Sequence, residues 1–236
     1  MPNNFSSYPP TVIKLIFSLF ILTFSSCNEA KNTPAKIVED KKEIIRFKKM
    51  AKTNVILCFG NSLTEGYGLD SEDAYPNKIQ NKIDSLGYDY EVVNAGLSGE
   101  TTSGGLGRLD WVLKQNVKLF ILELGANDGL RGIPLTETKK NLQAIIDAVK
   151  LKLPQAKIVL AGMQIPPNLG GVYTSQFKNI FPELAKKNNV YLIPFLLKGV
   201  AGISLLNQKD GIHPTAEAQY ILVRNIWEII SPLLEK

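Results

Sequence analysis

Short apolar runs alternate along the chain with segments whose apolar residues recur every three or four positions. The runs have the length of β-strands and few polar interruptions, as strands buried on both faces do. An alternation of such strands with helices is typical of a parallel sheet that helices cover on both faces. The sequence therefore predicts an α/β fold with five strands, at Val55–Phe59, Tyr90–Asn94, Leu119–Leu124, Ile158–Leu160 and Val190–Ile193.

Helices are predicted around these strands from single apolar stripes at helical spacing. Residues three or four positions apart lie on one face of a helix, so each stripe can cover part of one face of the sheet. The stripes comprise Tyr75, Ile79, Ile83 and Leu86; Leu142, Ile145, Ile146, Val149 and Leu153; Phe177, Phe181 and Leu184; and Leu222, Ile226, Ile229 and Leu233.

The net charge of the chain is concentrated near its N-terminus. The 236 residues carry 27 basic and 22 acidic side chains, a formal net charge of +5. Nine of the basic and four of the acidic residues precede Asn54, so residues 54–236 carry 18 of each sign. A nucleic-acid interface needs a basic face on the folded domain, and this balance leaves no surplus to build one. Nucleic acid is therefore not an expected partner.

The first 27 residues have the pattern of an export signal. Lys14 precedes a ten-residue apolar stretch, residues 15–24, which is too short to span a bilayer comfortably. Two serines then precede Cys27, and this ending resembles a bacterial lipoprotein signal, although Phe24 stands where that signal usually has Leu. The resemblance implies lipidation of Cys27 and an exported lipoprotein, anchored to a membrane on the periplasmic side or at the cell surface. Ordinary secretion with an incidental cysteine is the alternative.

Residues 28–53 are polar and rich in lysine, which predicts a tether between the membrane anchor and one globular domain at residues 54–236. The 44% hydrophobic content is enough for one core. Cys58 lies inside the first predicted strand, which indicates core packing and no disulfide framework. The chain has a single histidine, so a zinc site is not expected. An oxygen-liganded cation remains open at the level of sequence, but no pattern argues for one, so no metal site is predicted.

Glycine and small polar residues follow three of the five predicted strands. The loops read GNSLTEGYG at 60–68, AGLSGETT at 95–102 and GANDG at 125–129. In sheets of this kind the ligand site lies outside the carboxyl ends of the strands, where these loops meet. Tight connections explain the glycines through their backbone freedom, but they explain neither the serine nor the asparagine.

Ser62, directly after the first predicted strand, is a candidate nucleophile. A serine hydroxyl needs a base beside it and a carboxylate that holds this base in the correct tautomer. His213 is the only imidazole of the chain, and Asp210 lies three residues before it in DGIHPTAEAQ. A lone histidine is more often a surface or core residue, but Pro214 and the predicted helix start that follow favour a functional position.

Acyl-transfer chemistry also needs hydrogen-bond donors for the oxyanion of the tetrahedral intermediate. Gly99 could offer a backbone amide that no side chain obstructs, and Asn127 could offer its side-chain amide. The backbone amide of Ser62 could add a third donor. The sequence thus contains every group that an acyl-transfer site requires.

Ser62, Gly99, Asn127 and His213 fall, in this order, in four blocks that resemble those of the SGNH (GDSL-type) hydrolases. The similarity covers essentially the whole domain and is closest to the bacterial thioesterase, lysophospholipase and arylesterase members. It implies a three-layer α/β/α sandwich around a parallel five-stranded sheet, the flavodoxin-like fold of that family. It also implies a catalytic triad of Ser62, His213 and Asp210, with the oxyanion held by Ser62, Gly99 and Asn127, and no cofactor.

One position departs from the family pattern. The first block usually reads Gly-Asp-Ser-Leu, and Asn61 replaces the aspartate, which in the family is not the acid of the triad. Asparagine can still cap or brace the turn through its carbonyl oxygen and its amide. The nucleophile is expected to keep its position, but a local charge is lost.

A small-molecule ester or a lipid is the expected substrate. Leu97, Leu130, Ile133 and the apolar stretch 195–206 could line an acyl pocket, or they could complete the core. An exported enzyme meets lysophospholipids and external esters, whereas acyl-CoA stays in the cytoplasm, which argues against a thioesterase role.

Three alternatives remain at the level of sequence: a carbohydrate O-acetyl esterase, a noncatalytic lipoprotein that binds a lipid or glycan, and a flavodoxin-like nucleotide binder. The last is possible because parallel sheets host many functions. However, GGLGRL does not follow a strand with dinucleotide-binding spacing, and no phosphate-binding loop is present.

Overall fold

Five parallel strands form one sheet in the part of the chain that the structure, a computed structural model, describes, namely residues 54–114 and 116–236. The strands are β1 (Asn54–Gly60), β2 (Tyr90–Gly96), β3 (Val117–Glu123), β4 (Lys157–Ala161) and β5 (Tyr191–Ile193). Their order across the sheet is β2-β1-β3-β4-β5. In the centre, Cys58 of β1 pairs with Asn94 of β2 on one side and with Ile121 of β3 on the other.

Helices connect the strands and follow the last one. They are α1 (Ser62–Glu65), α2 (Tyr75–Ser85), α3 (Thr102–Val112), α4 (Ala126–Leu130), α5 (Leu135–Lys152), α6 (Gly171–Asn188) and α7 (Ala216–Ile230). Short 3₁₀ turns occur at Ser71–Asp73, Pro167–Leu169, Ser204–Leu206 and Ser231–Leu233.

The longer helices cover both faces of the sheet. From β1 to β2 the chain crosses the sheet in one direction, and from β2 through β3 and β4 to β5 it crosses in the opposite direction. Because the crossovers are right-handed, the helix that connects β1 to β2 lies on one face and the later connecting helices lie on the other. Accordingly, α2 packs against α7 on one face, whereas α3 and α6 both pack against α5 on the other. The core lies between these layers and the sheet, and its strand residues include Ile56, Phe59 and Phe120, which are fully buried.

The predicted α/β sandwich with a central parallel five-stranded sheet is confirmed, and the bounds of each predicted strand differ from the observed ones by at most two residues. The sequence reasoning missed α3, because Gly104, Gly105 and Gly107 lower the helix propensity of this segment. The glycine at 105 has a packing reason. A Cβ there would lie 2.4 Å from Cδ1 of Leu124, so its absence lets α3 approach the sheet closely.

The ends of β1 and β2 approach α1 too closely for side chains. A Cβ on Gly60 would lie 2.1 Å from Oγ1 of Thr64, and one on Gly96 would lie 2.1 Å from the backbone nitrogen of Glu65. In addition, the N–H of Leu97 donates to the carbonyl oxygen of Gly60 at 3.0 Å. The loops after β1 and β2 are therefore held side by side at the carboxyl edge of the sheet.

Among the helices that the structure describes, none combines the length and the apolar character needed to cross a bilayer. The predicted signal at residues 1–27, its Cys27 and the predicted tether at residues 28–53 lie outside the described residues. They stay predictions, as does the boundary of the domain at residue 54.

Candidate active site

Ser62 is the first residue of α1, a single helical turn that begins directly after β1. Asn61 caps this turn, because its Oδ1 accepts a hydrogen bond from the N–H of Leu63 at 3.0 Å. Gly66 ends it with a positive φ of 87°, a conformation that glycine adopts without strain. The sharp strand-to-helix turn places Ser62 at the carboxyl edge of the sheet, where ligand sites of such folds lie.

His213 lies beside Ser62, although 151 residues separate them in the sequence. Its Nε2 is 2.9 Å from Oγ of Ser62, and its Nδ1 is 2.7 Å from Oδ2 of Asp210. The other oxygen of Asp210 accepts the backbone N–H groups of Ile212 at 2.9 Å and of His213 at 3.0 Å. Tyr67 packs against the imidazole with ring centroids 4.5 Å apart. The structure therefore brings the three predicted triad residues into one hydrogen-bonded chain.

Asp210 is ionised at neutral pH. The hydrogen bond to the His213 side chain, followed by the bond from the His213 backbone, lowers the pKa of this carboxyl to about 2. An ionised Asp210 accepts the hydrogen of Nδ1, so the lone pair of Nε2 points at the Ser62 hydroxyl. In this tautomer the imidazole can accept a proton from the serine.

Of the two other residues predicted to hold the oxyanion, Asn127 lines the same cavity as Ser62 and Gly99 does not. Asn127, in α4, donates one amide hydrogen to the carbonyl oxygen of Glu100 at 3.0 Å, and its amide carries a second hydrogen. Gly99 lies in the loop after β2 with a φ of 75°, and Arg131 donates to its carbonyl oxygen at 2.8 Å.

A partly buried ion pair between Arg108 and Glu100 supports this loop. Arg108 contacts the two oxygens of Glu100 through Nε at 2.5 Å and Nη2 at 2.6 Å, and it also donates to the carbonyl of Ala95 at 2.8 Å. The Glu100 residue is 6% exposed. Because the backbone carbonyl of Glu100 orients the amide of Asn127, Arg108 helps to fix a cavity residue that it does not touch. The sequence reasoning identified neither Arg108 nor Glu100.

Glu123, the last residue of β3, is a fully buried carboxylate beneath the turn that carries Ser62. Its Oε1 accepts from Nδ2 of Asn61 at 2.8 Å, and its Oε2 accepts from the backbone N–H of Asn61 at 3.1 Å and from Oγ1 of Thr64 at 2.8 Å. Burial raises the pKa of Glu123 to about 7, although these hydrogen bonds act in the opposite direction. The one available signal in the sequence was a carboxylate that ends an otherwise apolar strand.

A cavity of about 690 Å³ opens beside Ser62 and His213. Most of the side chains around it are apolar, and they come from the loops after β1, β3, β4 and β5. Leu130 and part of the predicted stretch 195–206 line it, but Leu97 and Ile133 do not. The apolar lining comprises Leu63, Ala126, Leu130, Met163, Ile165, Pro166, Pro167, Phe195, Leu197, Ala201 and Ile212.

Within residues 54–114 and 116–236, no group of three or more His, Cys, Asp or Glu side chains is arranged to hold a metal ion. Cys58 is buried in β1, and burial raises the pKa of its thiol to about 12, so it stays protonated at neutral pH. The polar groups that the structure brings to the cavity include the Ser62 hydroxyl, the His213 imidazole with the Asp210 carboxylate behind it, and the side-chain amide of Asn127.

Comparison with known proteins identifies relatives over nearly the whole described domain. The profile described as the GDSL-like Lipase/Acylhydrolase family matches residues 58–221. The chain is 38% identical to "Esterase TesA" of Pseudomonas aeruginosa over 192 residues, which cover 81% of this chain and 94% of that protein. It is 36% identical to "Thioesterase 1/protease 1/lysophospholipase L1" of Escherichia coli K12 over 185 residues, 78% of this chain and 86% of that protein.

The fold also matches the solved structure of TesA. The crystal structure of TesA superposes with a TM-score of 0.73 at 38% sequence identity, covering 76% of this chain and 99% of the TesA chain. The sequence-based resemblance to SGNH (GDSL-type) hydrolases is thereby confirmed.

Proposed function

The chain belongs to the GDSL-like lipase/acylhydrolase family and is a serine hydrolase of ester bonds, and we propose that Ser62, His213 and Asp210 carry out this hydrolysis through an acyl-enzyme. The single observation that carries the assignment of residues is the chain of hydrogen bonds from Asp210 through His213 to the Ser62 hydroxyl. It joins a nucleophile, a base and the group that orients the base.

The first half of the reaction forms the acyl-enzyme. Oγ of Ser62 bonds to the carbonyl carbon of the ester while its proton moves to Nε2 of His213, 2.9 Å away. The carbonyl π electrons move onto oxygen and form the oxyanion. When this intermediate collapses, the bond from carbon to the leaving oxygen breaks, and the leaving alcohol takes the proton from Nε2. Asp210 stabilises the imidazolium that exists between these two proton transfers.

The second half releases the acid. Water gives a proton to Nε2 of His213 as its oxygen bonds to the acyl carbon, and the bond from that carbon to Oγ of Ser62 then breaks. The proton returns from Nε2 to Oγ, so the enzyme is regenerated with no net gain of charge. No group beyond water, the ester and the three side chains enters the balance of atoms.

The oxyanion is held by the backbone N–H groups of Ser62 and Gly99 and by the side-chain amide of Asn127. The position of Asn127 on the cavity wall and its fixed contact with Glu100 support its part. The part of Gly99 is supported by the adjacency of its loop to β1 and by the hold of Arg131 on its carbonyl. Donors fixed in advance stabilise the developing charge without reorganisation during the reaction.

The substrate is an ester with an apolar acyl group. Eleven apolar residues around the cavity support an acyl chain longer than acetyl, because each buried methylene adds roughly 0.8 kcal/mol to binding. The names of the two relatives, esterase and thioesterase/lysophospholipase, favour simple esters and lysophospholipids as the first compounds to test.

The enzyme is exported and anchored to a membrane through a lipid on Cys27, and residues 28–53 tether the domain to that membrane. The support comes from the apolar stretch and small residues before Cys27 in the sequence. Extraction of the membrane fraction tests this part. The extraction uses a detergent that separates from water on warming, so that lipid-anchored proteins collect in the detergent phase. The full chain is expected in the detergent phase and the variant Cys27→Ser in the aqueous phase. Equal partition of both proteins would contradict the anchor.

A panel of p-nitrophenyl esters from acetate to palmitate, with lysophosphatidylcholine and an acyl-CoA beside them, tests the function. The wild type is expected to prefer medium or long acyl esters, and Ser62→Ala is expected to lose about 10⁴-fold or more in kcat with an unchanged melting temperature. Activity of Ser62→Ala near the wild-type level would refute the assignment of the nucleophile. A strict preference for acetate would instead indicate an O-acetyl esterase.

A further inference from the structure

Glu123 meets the nucleophile turn through three hydrogen bonds that the mechanism above does not use. Its carboxylate accepts from the backbone N–H and from Nδ2 of Asn61 and from the hydroxyl of Thr64. The residue is 0% exposed, so bulk water does not reach it, and a lost partner leaves a buried polar atom at a cost in stability. Donors and acceptors at this point therefore have to match among the protein groups themselves.

The Glu123 carboxylate fixes which way the Asn61 amide points. Nδ2 lies 2.8 Å from Oε1 of Glu123, and only the nitrogen end of the amide can donate there. The amide oxygen then faces the N–H of Leu63 at 3.0 Å and Oγ of Ser62 at 3.4 Å. A reversed amide would bring two donors together at Leu63 and two acceptors together at Glu123. The carboxylate thus selects the orientation in which Asn61 caps α1.

We propose that Glu123 is a positioning residue for the nucleophile: its carboxylate orients the Asn61 amide, and through that amide it holds the turn that keeps the Ser62 hydroxyl against His213. The inference rests on the proposed role of Ser62. Glu123 is not part of the cavity lining, so it acts without touching the substrate.

The asparagine that departs from the family block is part of this arrangement. An aspartate at position 61 would place two carboxylates within hydrogen-bond distance in a buried site, and such a pair has to share a proton. The amide of Asn61 supplies that hydrogen itself, so Glu123 can act as an ionised acceptor.

Protonation of Glu123 disrupts the pairing of its two oxygens with the three hydrogen-bond donors around it. A protonated carboxyl donates one hydrogen and can no longer accept all three incoming donors. Because burial raises the pKa of this group to about 7, the ionised form predominates only above that pH. Activity is therefore expected to fall as the pH falls through about 7, in addition to the requirement that His213 be neutral.

The neighbours of Glu123 do not supply another charge that would mask this ionisation. From α2, the Tyr75 hydroxyl lies 2.8 Å from Oγ1 of Thr64, and burial raises the pKa of Tyr75 well above its usual value. From β1, the Cys58 thiol is also neutral at this pH. From α3, the Arg108 guanidinium reaches the carbonyl of Gly60 at 3.4 Å, and its charge is paired with Glu100.

Glu123→Gln is the direct test, because it keeps the shape and removes one acceptor. Whichever way the new amide lies, its nitrogen faces one of the two nitrogens of Asn61, so a donor meets a donor. We expect kcat to fall roughly 10- to 100-fold, as for a nucleophile displaced by a fraction of an ångström, with KM changed less than about twofold. The acid limb of the pH profile of kcat is expected to become shallower, because the protonation of Glu123 no longer contributes and only the requirement for a neutral His213 remains.

The double variant Asn61→Asp/Glu123→Gln reverses the polarity of the pair. The new carboxylate accepts from the new amide nitrogen, and the amide oxygen accepts from the backbone N–H of position 61 and from Thr64. We expect kcat to return to within about threefold of the wild type, while the acid limb of its pH profile stays as shallow as in Glu123→Gln. Tyr75→Phe is the matched control, since it removes the next buried hydroxyl and should lower the melting temperature while kcat stays within about twofold.

The outcomes separate the two proposals. Wild-type kcat and pH profile in Glu123→Gln, or a loss that the double variant does not reverse at all, would overturn the positioning role. If Glu123→Gln does not fold, a double variant that folds and is active supports the proposed pairing of residues 61 and 123. If neither variant folds, Glu123 has a structural role only and the positioning role is overturned. An inactive Ser62→Ala together with an unaffected Glu123→Gln removes only this inference, whereas an active Ser62→Ala removes the proposed nucleophile itself.

Discussion

Asp210 and Glu123 are each one side chain away from the Ser62 hydroxyl, the first through His213 and the second through Asn61. The Asp210 side chain is 37% exposed on a loop, and a hydrogen bond to the imidazole lowers its pKa to about 2. Glu123 is fully buried at the end of β3, and desolvation raises its pKa to about 7. The same chemical group is thus driven in opposite directions by its surroundings.

This contrast indicates how the surroundings of Ser62 differ between the solvent side, where Asp210 lies, and the core side, where Glu123 lies. On the solvent side, the proposed mechanism gives His213 a positive charge during the reaction, and this charge favours an ionised carboxylate at Asp210. On the core side, no charge develops, and the carboxylate serves only as an acceptor whose ionisation is costly. The first arrangement is suited to catalysis over a wide pH range, and the second makes the geometry of the turn sensitive to pH near neutrality.

The largest effect should come from Asp210→Asn. The asparagine amide would favour the imidazole tautomer with its hydrogen on Nε2, which cannot accept the proton of Ser62, so kcat/KM should fall roughly 10⁴-fold. Steady-state kinetics on the preferred ester measure it. Asp110→Asn, which removes an exposed carboxylate paired with Lys152, is the control and should stay within about twofold. A loss of less than tenfold in Asp210→Asn would make Asp210 no more important than Glu123.

An intermediate effect should appear in the pH dependence of stability, with opposite signs for the two carboxylates. The pKa of Glu123 is about 7 in the folded state, above its ordinary value of 4.5, so this group favours folding at low pH and loses that contribution as the pH rises from about 4.5 to 7. The pKa of Asp210 is about 2, below its ordinary value of 3.8, so its contribution is present above pH 4 and is lost toward pH 2.

Urea unfolding at pH 5 and pH 8 measures this difference. Between these two pH values the free energy of unfolding of the wild type should fall by roughly 2–3 kcal/mol relative to that of Glu123→Gln. Asp210→Asn should show the same change between pH 5 and pH 8 as the wild type. If Glu123→Gln and the wild type respond equally, the Glu123 carboxylate does not titrate in this range, and the comparison with Asp210 loses its basis.

The smallest effect should come from the cavity wall, away from both carboxylates. Leu130→Ala removes apolar surface from the cavity, so kcat/KM for an octanoyl ester should drop about 3- to 10-fold while that for an acetyl ester stays within about twofold. The pH profile should not change. Equal losses on both esters would mean that Leu130 does not contact the acyl chain.

The sequence predicted the parts of the site that are encoded in short local patterns. Ser62 follows an apolar strand, and Asp210 and His213 lie three residues apart before a helix. The structure joins these three predicted residues by hydrogen bonds, and their catalytic roles stay a proposal. Glu123 could not be predicted in the same way. It lies 62 residues from its partner Asn61, and only the pairing of β1 with β3 brings Glu123 beside Gly60, directly before Asn61.

The limits of the fold prediction have a similar physical origin. The three central strands β1, β3 and β4 were predictable because they are almost entirely buried and therefore nearly continuously apolar, whereas the edge strands β2 and β5 are partly exposed. Helix α3 was missed because its three glycines lower the local helix propensity. One of them, Gly105, is required by the close packing against Leu124 and Phe59, so tertiary structure here opposes local propensity. The cavity wall was predicted only in part, since loop residues such as Leu97 and Leu130 look alike in sequence and differ only in where their loops turn.

Mass spectrometry after reaction with a p-nitrophenyl phosphonate ester tests the central claim most directly, because the reagent marks the serine that attacks an ester carbonyl. Wild-type protein should carry one adduct, on the peptide that contains Ser62, with loss of activity in proportion to labelling. Ser62→Ala should carry none, and Asp210→Asn should label far more slowly. An adduct on another serine, or full activity after complete labelling of Ser62, would contradict the account.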